Sequence, residues 1–214
     1  MIKVITIERE YGSGAPSIAA AIADRLGWKV WDQEITEEIA RRLKCKKEMV
    51  QQHEERCDSM FYRLMKAFMR GSFEPRVDTA ELELLDAEHL AILFDKVVNQ
   101  IAEQGNCVII GRGSNWFLRH RDDCFHVFLY AAYEEKMRRI LASGESEKEA
   151  THLLETVDRE RAAFIRKYYG KDWPDRSLYH VMINTVVGDE TVATNLLNMV
   201  DLLNRQPAGV LQSR

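Results

Sequence analysis

Cysteine is scarce in this sequence, and none of it is arranged in pairs. The four cysteines, Cys45, Cys57, Cys107 and Cys124, contain no C-x-x-C spacing, which excludes a disulfide scaffold and fits a reduced, cytoplasmic setting. Cys45, His53 and Cys57 match no standard zinc spacing and lack a fourth ligand. An excess of one charge is also missing. A net charge of −4 gives no basic footprint for nucleic acid or an anionic membrane surface, so any anion site must be a local cluster of arginines. No apolar run approaches the about 18 residues of a membrane span, and the chain enters a strand at once, so neither a span nor a signal peptide is expected. Repeats and low-complexity segments are absent.

What is present suits an α/β protein. A chain of 214 residues, 46% of them hydrophobic, can bury roughly 70% of its unfolded surface. Val4-Ile5-Thr6-Ile7 reads as a strand buried on both faces. Gly12 and Gly14 break it, Pro16 falls at the start of a helix, Ile18, Ala19, Ile22, Ala23 and Leu26 recur at helical spacing, and Gly27 closes the run. Strand, glycine turn and helix N-terminus form the geometry that offers backbone N–H groups to a phosphate. The full phosphate loop reads G-x-x-x-x-G-K-[ST]. Here Gly14 fits the second glycine, Arg9 stands in place of the first, Ala15 stands in place of the lysine, and Ser17 supplies a hydroxyl two residues later. The same pattern is also compatible with a plain tight βα turn.

Lys29-Val30-Trp31-Asp32 is a short second strand that ends in a carboxylate at the edge where parallel sheets bind ligands. Asp32 orients a substrate there or caps the next helix. Residues 33–44 read as a helix with Ile35, Ile39, Ala40 and Leu43 inward. In residues 45–78, Met60, Phe61, Leu64, Met65 and Phe68 make an apolar stripe at helical spacing. It packs on the main domain or serves as a partner surface or substrate flap. Gly71 to Pro75 is a loop. A long helix from about Thr79 to Gln104 turns Leu82, Leu85, His89, Ile92, Leu93, Val97 and Ile101 inward, with His89 a core residue.

Cys107 to Ile110 is a third buried strand, and Gly111-Arg112-Gly113-Ser114 follows it. Arg112 therefore lies on the same edge as the first glycine turn, as a two-pronged phosphate contact or as the partner of a carboxylate. Phe125 to Tyr130 is the fourth strand. Tyr133 to Ala142 is a helix carrying Lys136, Arg138 and Arg139. Ser146 and Glu149 form a capping box for a helix reaching about Tyr168. That helix bears Asp158-Arg159-Glu160-Arg161 and Arg166, with Arg159 and Arg166 on one face, either closing over a phosphate chain or simply solvated. Tyr179 to Asn184 is the last strand, Glu190 to Asn204 a closing helix, and the tail from Gln206 is expected to fray.

Three ordered stretches carry a resemblance. Ile5-Thr6-Ile7 with Gly12-Ser13-Gly14 and Ser17, Ile109-Ile110-Gly111-Arg112, and Asp158-Arg159-Glu160-Arg161 with Ile183-Asn184-Thr185 downstream are similar to the cytidylate kinases. The greatest likeness is to the divergent cytidylate-kinase-like proteins, in which REYGSG also follows the first strand. The resemblance implies a P-loop NTPase of the nucleoside monophosphate kinase type: a three-layer α/β/α fold with a five-stranded parallel sheet, a helical insertion at about 45–78 and a lid at about 143–177, on a core of about 1–44 and 79–205. It further implies ATP and Mg2+ as cofactors and a nucleotide or similar small phosphorylated acceptor, with a homo-oligomer left open. By matching positions, Arg9, Gly12, Ser13, Gly14, Ala15 and Ser17 surround the ATP phosphates, with Ser17 near the magnesium. Asp32 and Arg112 face the acceptor. Arg112, Arg159 and Arg161 neutralise the transferring group, and Asp158 holds one of the lid arginines. The sequence departs from the pattern at Ala15, at Gly113, where true cytidylate kinases carry an aspartate, and at Leu154, which replaces a lid arginine. Arg9 and Lys3 are the candidates to replace the missing lysine charge. The implied activity is ATP-dependent phosphoryl transfer. A catalytically silent nucleotide-binding sensor or scaffold is the alternative, and an interaction module acting through the Met60–Phe68 stripe is a third.

Overall fold

A computed structural model of the chain describes residues 1–35, 38 and 87–206. The Met60–Phe68 stripe, the Cys45, His53 and Cys57 spacing, the loop from Gly71, the inward positions Ile39, Ala40, Leu43, Leu82 and Leu85, and the side chain of His89 lie outside the described residues, as does the tail beyond 206.

Five strands form one parallel sheet in the order β2-β3-β1-β4-β5. They are β1 (Val4–Arg9), β2 (Lys29–Trp31), β3 (Cys107–Ile110), β4 (Cys124–Tyr130) and β5 (Val181–Asn184). The described helices are α1 (Ala15–Leu26), α2 (Ala87–Gln104), α3 (Ser114–Phe117), α4 (Tyr133–Ala142), α5 (Glu147–Tyr169) and α6 (Asp189–Asn204). Central β1 is buried along its whole length, as a strand covered on both faces is, the polar Thr6, Glu8 and Arg9 included. Its register sets Val4 between Cys107 and Cys124, and Ile7 between Ile110 and Val127.

Alternation along the strands divides two core layers. Ile5 and Ile7 pack with Val108, Val127, Ile18 and Ile22 of α1, and Val192 and Leu196 of α6. On the opposite face Val4, Ile109 and Cys124 meet Phe94, Val97, Val98 and Ile101 of α2 and Phe164 of α5. Ile92, expected inward, is instead 61% exposed. The inner face of α2 is centred on Phe94, Val97, Val98 and Ile101, and two residues back from Phe94 is about 200° around a helix. A third, smaller cluster joins Tyr11, in the turn after β1, to Ile140 of α4 and Ala150, Leu153 and Val157 of α5. It fixes α4 and α5 over the first glycine turn.

Local signals set the boundaries. Ser146 caps α5, its hydroxyl accepting from the Glu149 N–H at 3.2 Å. The fifth strand begins two residues later than the sequence suggests. Tyr179 instead follows a 3₁₀ turn over Arg176–Leu178 whose Ser177 N–H donates to the Asp175 side chain. No helix among the described residues is long and apolar enough to cross a membrane.

Candidate active site

The site lies at the carboxyl edge of the sheet, where β1, β2 and β3 end. After β1 the chain turns through Gly12 (φ 78°) and Gly14 (φ 85°) into α1. Gly14 is the N-cap of α1 and no side chain caps the helix. Backbone N–H groups and the positive end of the helix dipole are therefore directed to this edge, an arrangement suited to an anion. The Ser13 N–H closes the turn on the Glu10 carbonyl at 3.3 Å. Its hydroxyl is fully buried and has no hydrogen-bond partner.

Ser17, expected at the phosphates and the metal, is exposed on the first turns of α1. Ala15 is fully buried and packs in the core layer with Ile18 and Ile22. That burial accounts for the departure from the phosphate-loop pattern, because a lysine here would place its stem in the apolar layer. Neither expected substitute serves the turn directly. Lys3 lies at the other end of β1, its N–H bound to the Asp123 carbonyl, about 20 Å away for a six-residue strand. Arg9 points to Gly111.

The cations that do reach the turn come from α4. A Cβ on Gly12 would stand 3.2 Å from Cβ of Lys136 and 3.1 Å from Cδ1 of Ile140. On Gly14 it would stand 2.8 Å from Cζ of Arg139 and nearer still to Nη1. Lys136 pairs with Glu10 at 2.9 Å. Arg139 spans Glu135 (2.7 Å) and Asp189 at the start of α6 (2.7 Å). These two residues were noted in the sequence only as helix charges. Nothing in the spacing of α4 marks them, since their closeness to the turn depends on how α4 packs over Gly12 and Gly14.

The second turn is more constrained. Gly111, Arg112 and Gly113 all adopt left-handed backbone, with φ of 65°, 62° and 67°. For Arg112 that conformation costs about 1–3 kcal/mol and persists only where the surroundings impose it. They do so here: Gly111 N–H donates to the Ile7 carbonyl at 2.9 Å, and Gly113 N–H donates to the buried Glu8 carboxylate at 3.2 Å. Glycine at 111 leaves room for Arg9, whose Cζ would lie 2.9 Å from a Cβ there.

Arg9, Arg112 and Arg161 are each 1% exposed and come from three different elements. Arg112 reaches Asp32 Oδ1 at 3.4 Å and Arg9 reaches the same oxygen at 3.9 Å. Arg161 donates from Nη1 to the Arg9 carbonyl at 3.1 Å and to Asp158 at 2.8 Å. Asp158 in turn accepts the Tyr11 N–H at 3.0 Å. Burial, followed by repulsion from Arg9, pushes the Arg161 guanidinium down to about 10. Burial likewise raises the Asp158 carboxyl above its ordinary range, against the pull of Arg161. Arg159 is not part of this group. It is exposed, because two residues along α5 turn it about 200° from Arg161. Arg166 is also exposed and pairs with Asp172.

Among the described residues no group of three or more His, Cys, Asp or Glu is placed to hold a metal. The Ser13 hydroxyl is the enclosed oxygen of the turn, and Ser17 is the outlying one.

A family model described as the cytidylate kinase-like family matches residues 4–186. The cytidylate kinase of Archaeoglobus fulgidus is 25% identical over 205 residues, covering 92% of this chain and 94% of the relative. That of Methanoregula boonei is 28% identical over 127 residues, 56% of this chain and 68% of the relative. An uncharacterized protein from Eubacterium ventriosum superposes with a TM-score of 0.66 at 20% identity over 94% of this chain and 99% of the other. Shikimate kinase from Acinetobacter baumannii, in complex with shikimate, gives 0.51 at 17% identity over 97% of both chains. At these identities the solved structures bear on the fold alone, which is that of the P-loop kinases. With its family model spanning both glycine turns and all three buried arginines, the chain belongs to the cytidylate kinase-like family.

Proposed function

We propose that the protein is an ATP- and magnesium-dependent phosphotransferase acting on a nucleotide or similar small phosphorylated acceptor. The observation that carries this reading is the convergence of Arg9, Arg112 and Arg161 beside an uncapped helix N-terminus. Arg161 is buried beside the like-charged Arg9, so an incoming oxyanion meets positive charge already withdrawn from water.

In this reading the first glycine turn and α1 hold the donor phosphates, with Lys136 and Arg139 supplying the charge that Ala15 does not. Arg112 and Arg9, steadied by Asp32, hold the acceptor phosphate. Arg161 spans the line between the two. An acceptor oxygen attacks the γ-phosphorus in line while the bond to the β–γ bridging oxygen breaks, so ADP leaves and no covalent enzyme intermediate forms. Bound magnesium would neutralise charge on the β- and γ-phosphates. Positioned cations are most of what such a transfer requires. Arg159, on the exposed side of α5, contributes only through closure of the lid.

The test is a coupled ADP-release assay with ATP–magnesium across the nucleoside monophosphates. Acceptor-dependent release, lost by two or more orders of magnitude in Arg112→Ala, is the expected result. A second reading, a nucleotide-binding protein without turnover, is favoured by Arg139, which sits on Gly14 while held by Glu135 and Asp189. Stabilisation by ATP–magnesium with no acceptor-dependent ADP would select it.

A further inference from the structure

Both cations that α4 brings to the first glycine turn are already matched by carboxylates. Lys136 pairs with Glu10 at 2.9 Å. Arg139 donates from Nε to Glu135 at 2.7 Å, and from Nη2 and Nη1 to the two oxygens of Asp189 at 2.7 and 3.1 Å. The contact with Asp189 is two-pronged, the form in which a guanidinium also takes a phosphate. It is largely withdrawn from water, with 12% of the Arg139 side chain and 23% of the Asp189 side chain exposed. Hydrogen bonding to Asp189, more than to Glu135, holds the guanidinium above its ordinary range against the cost of burial.

The place of the pair matters as much as its chemistry. A Cβ on Gly14, the N-cap of α1, would stand 2.8 Å from Cζ of Arg139 and 3.2 Å from Oδ1 of Asp189. Asp189 thus sets a carboxylate oxygen against the turn that opens α1, a helix end with no side-chain cap. In the same turn the fully buried Ser13 hydroxyl has no hydrogen-bond partner among the described residues. Glu190, one residue on from Asp189, pairs with Arg25 instead. Asp189 lies in the first turn of α6, where the helix dipole steadies a carboxylate that has lost its cation. Arg139 keeps its tie to Glu135 through Nε. Its two end nitrogens can therefore pass from carboxylate to phosphate with neither charge stranded.

We infer that Asp189 is an internal stand-in for the donor's phosphate. It occupies the Nη edge of Arg139 until a phosphate oxygen displaces it, and so sets the affinity of the first glycine turn for polyphosphates. The exchange makes and breaks no covalent bond. The inference rests on the phosphotransferase reading for the place of the donor at this turn.

Titration calorimetry on the full chain tests it, with ATP–magnesium and with magnesium tripolyphosphate, which has no base. Asp189→Asn keeps the shape and removes the charge. It should bind both probes about five- to tenfold more tightly than the wild type, the scale of a partly exposed ion pair. In an Arg139→Ala background the same substitution should bring no gain, because the competitor then has nothing to hold. Glu190→Gln removes an equal charge one residue on and should leave both affinities unchanged. Asp189→Ser stands in if Asp189→Asn does not fold. Unchanged or weaker binding by Asp189→Asn, a gain for ATP alone, an equal gain in Glu190→Gln, or a gain that survives Arg139→Ala would overturn the inference. Unchanged polyphosphate affinity beside acceptor-dependent ADP release would overturn the stand-in and leave the transfer reading standing. Tighter, Arg139-dependent binding with no ADP release from any acceptor would do the reverse. No binding of either probe by any of these proteins would overturn both.

Discussion

Gly14→Ala is expected to destabilise the protein by about 2–4 kcal/mol, and most of the interest lies in how that loss divides. A non-glycine residue at φ +85° carries about 1–2 kcal/mol of left-handed strain. The remainder comes from Arg139. The new methyl group falls on its guanidinium, which must swing off Asp189 and Glu135, at about 1–2 kcal/mol for two partly exposed ion pairs. In an Arg139→Ala background only the strain is left. The double-mutant cycle should therefore give a coupling of about 1–2 kcal/mol between positions 125 residues apart in sequence. Asp189 tolerates losing its partner because it lies in the first turn of α6, where the helix dipole favours an acid. Urea unfolding of the four proteins at constant m supplies the numbers. A Gly14→Ala loss within 0.5 kcal/mol of zero, or one unchanged by removing Arg139, would show that no guanidinium covers this turn, and the replacement of the missing lysine by α4 would go with it.

Other expectations follow from the same geometry. Ala15→Lys should lower stability by several kcal/mol, because its ammonium starts from a fully buried position, and should not tighten ATP–magnesium binding; tighter binding in calorimetry would contradict the burial argument. Hydrogen bonding to Arg138, reinforced by Arg139, holds the Glu135 carboxyl down to about 2 from 4.5. Its folded value lies below its unfolded one, so its stabilisation is complete above about pH 4.5 and fades as pH falls through about 2. The stability gap between the wild type and Glu135→Gln should close over that window in acid-unfolding curves. Burial pushes the Cys107 thiol up to about 11 and the Cys124 thiol up to about 12. At pH 8 both should react with iodoacetamide only as fast as the protein unfolds, and prompt labelling of either by site-resolved mass spectrometry would refute their burial.

The strands and their sheet-edge turns were legible in the sequence because their signals are local. A β-branched run, a glycine pair and a following helical period specify β1 to α1 without help from elsewhere, and Gly111 and Gly113 bracket Arg112 in the same way. The resemblance matched Arg159 and Arg161 alike to lid arginines and did not single out Arg161 as the buried one. Its separation from Arg159 needed the rotational phase of α5, which Leu153, Val157 and Phe164 set by burial. Ile92 went wrong for the same reason: a helix with apolar residues on several sides does not declare which arc is covered until its neighbours are in place. Lys136 and Arg139 were hidden differently. Nothing within α4 marks them, because what sets them apart is their closeness to a turn more than a hundred residues earlier.

The ties between α5 and the first strand have an engineering consequence. Arg161 fastens to a carbonyl and Asp158 to an N–H, both on the main chain of residues 9 and 11. The fastening is thus blind to which side chains those positions carry. A chimera that transplants the α5 segment from a relative should dock on this host when the incoming piece keeps its own Asp and Arg three apart and an apolar face to meet Tyr11 and Ile140. The arm over the site is, in that sense, an exchangeable part.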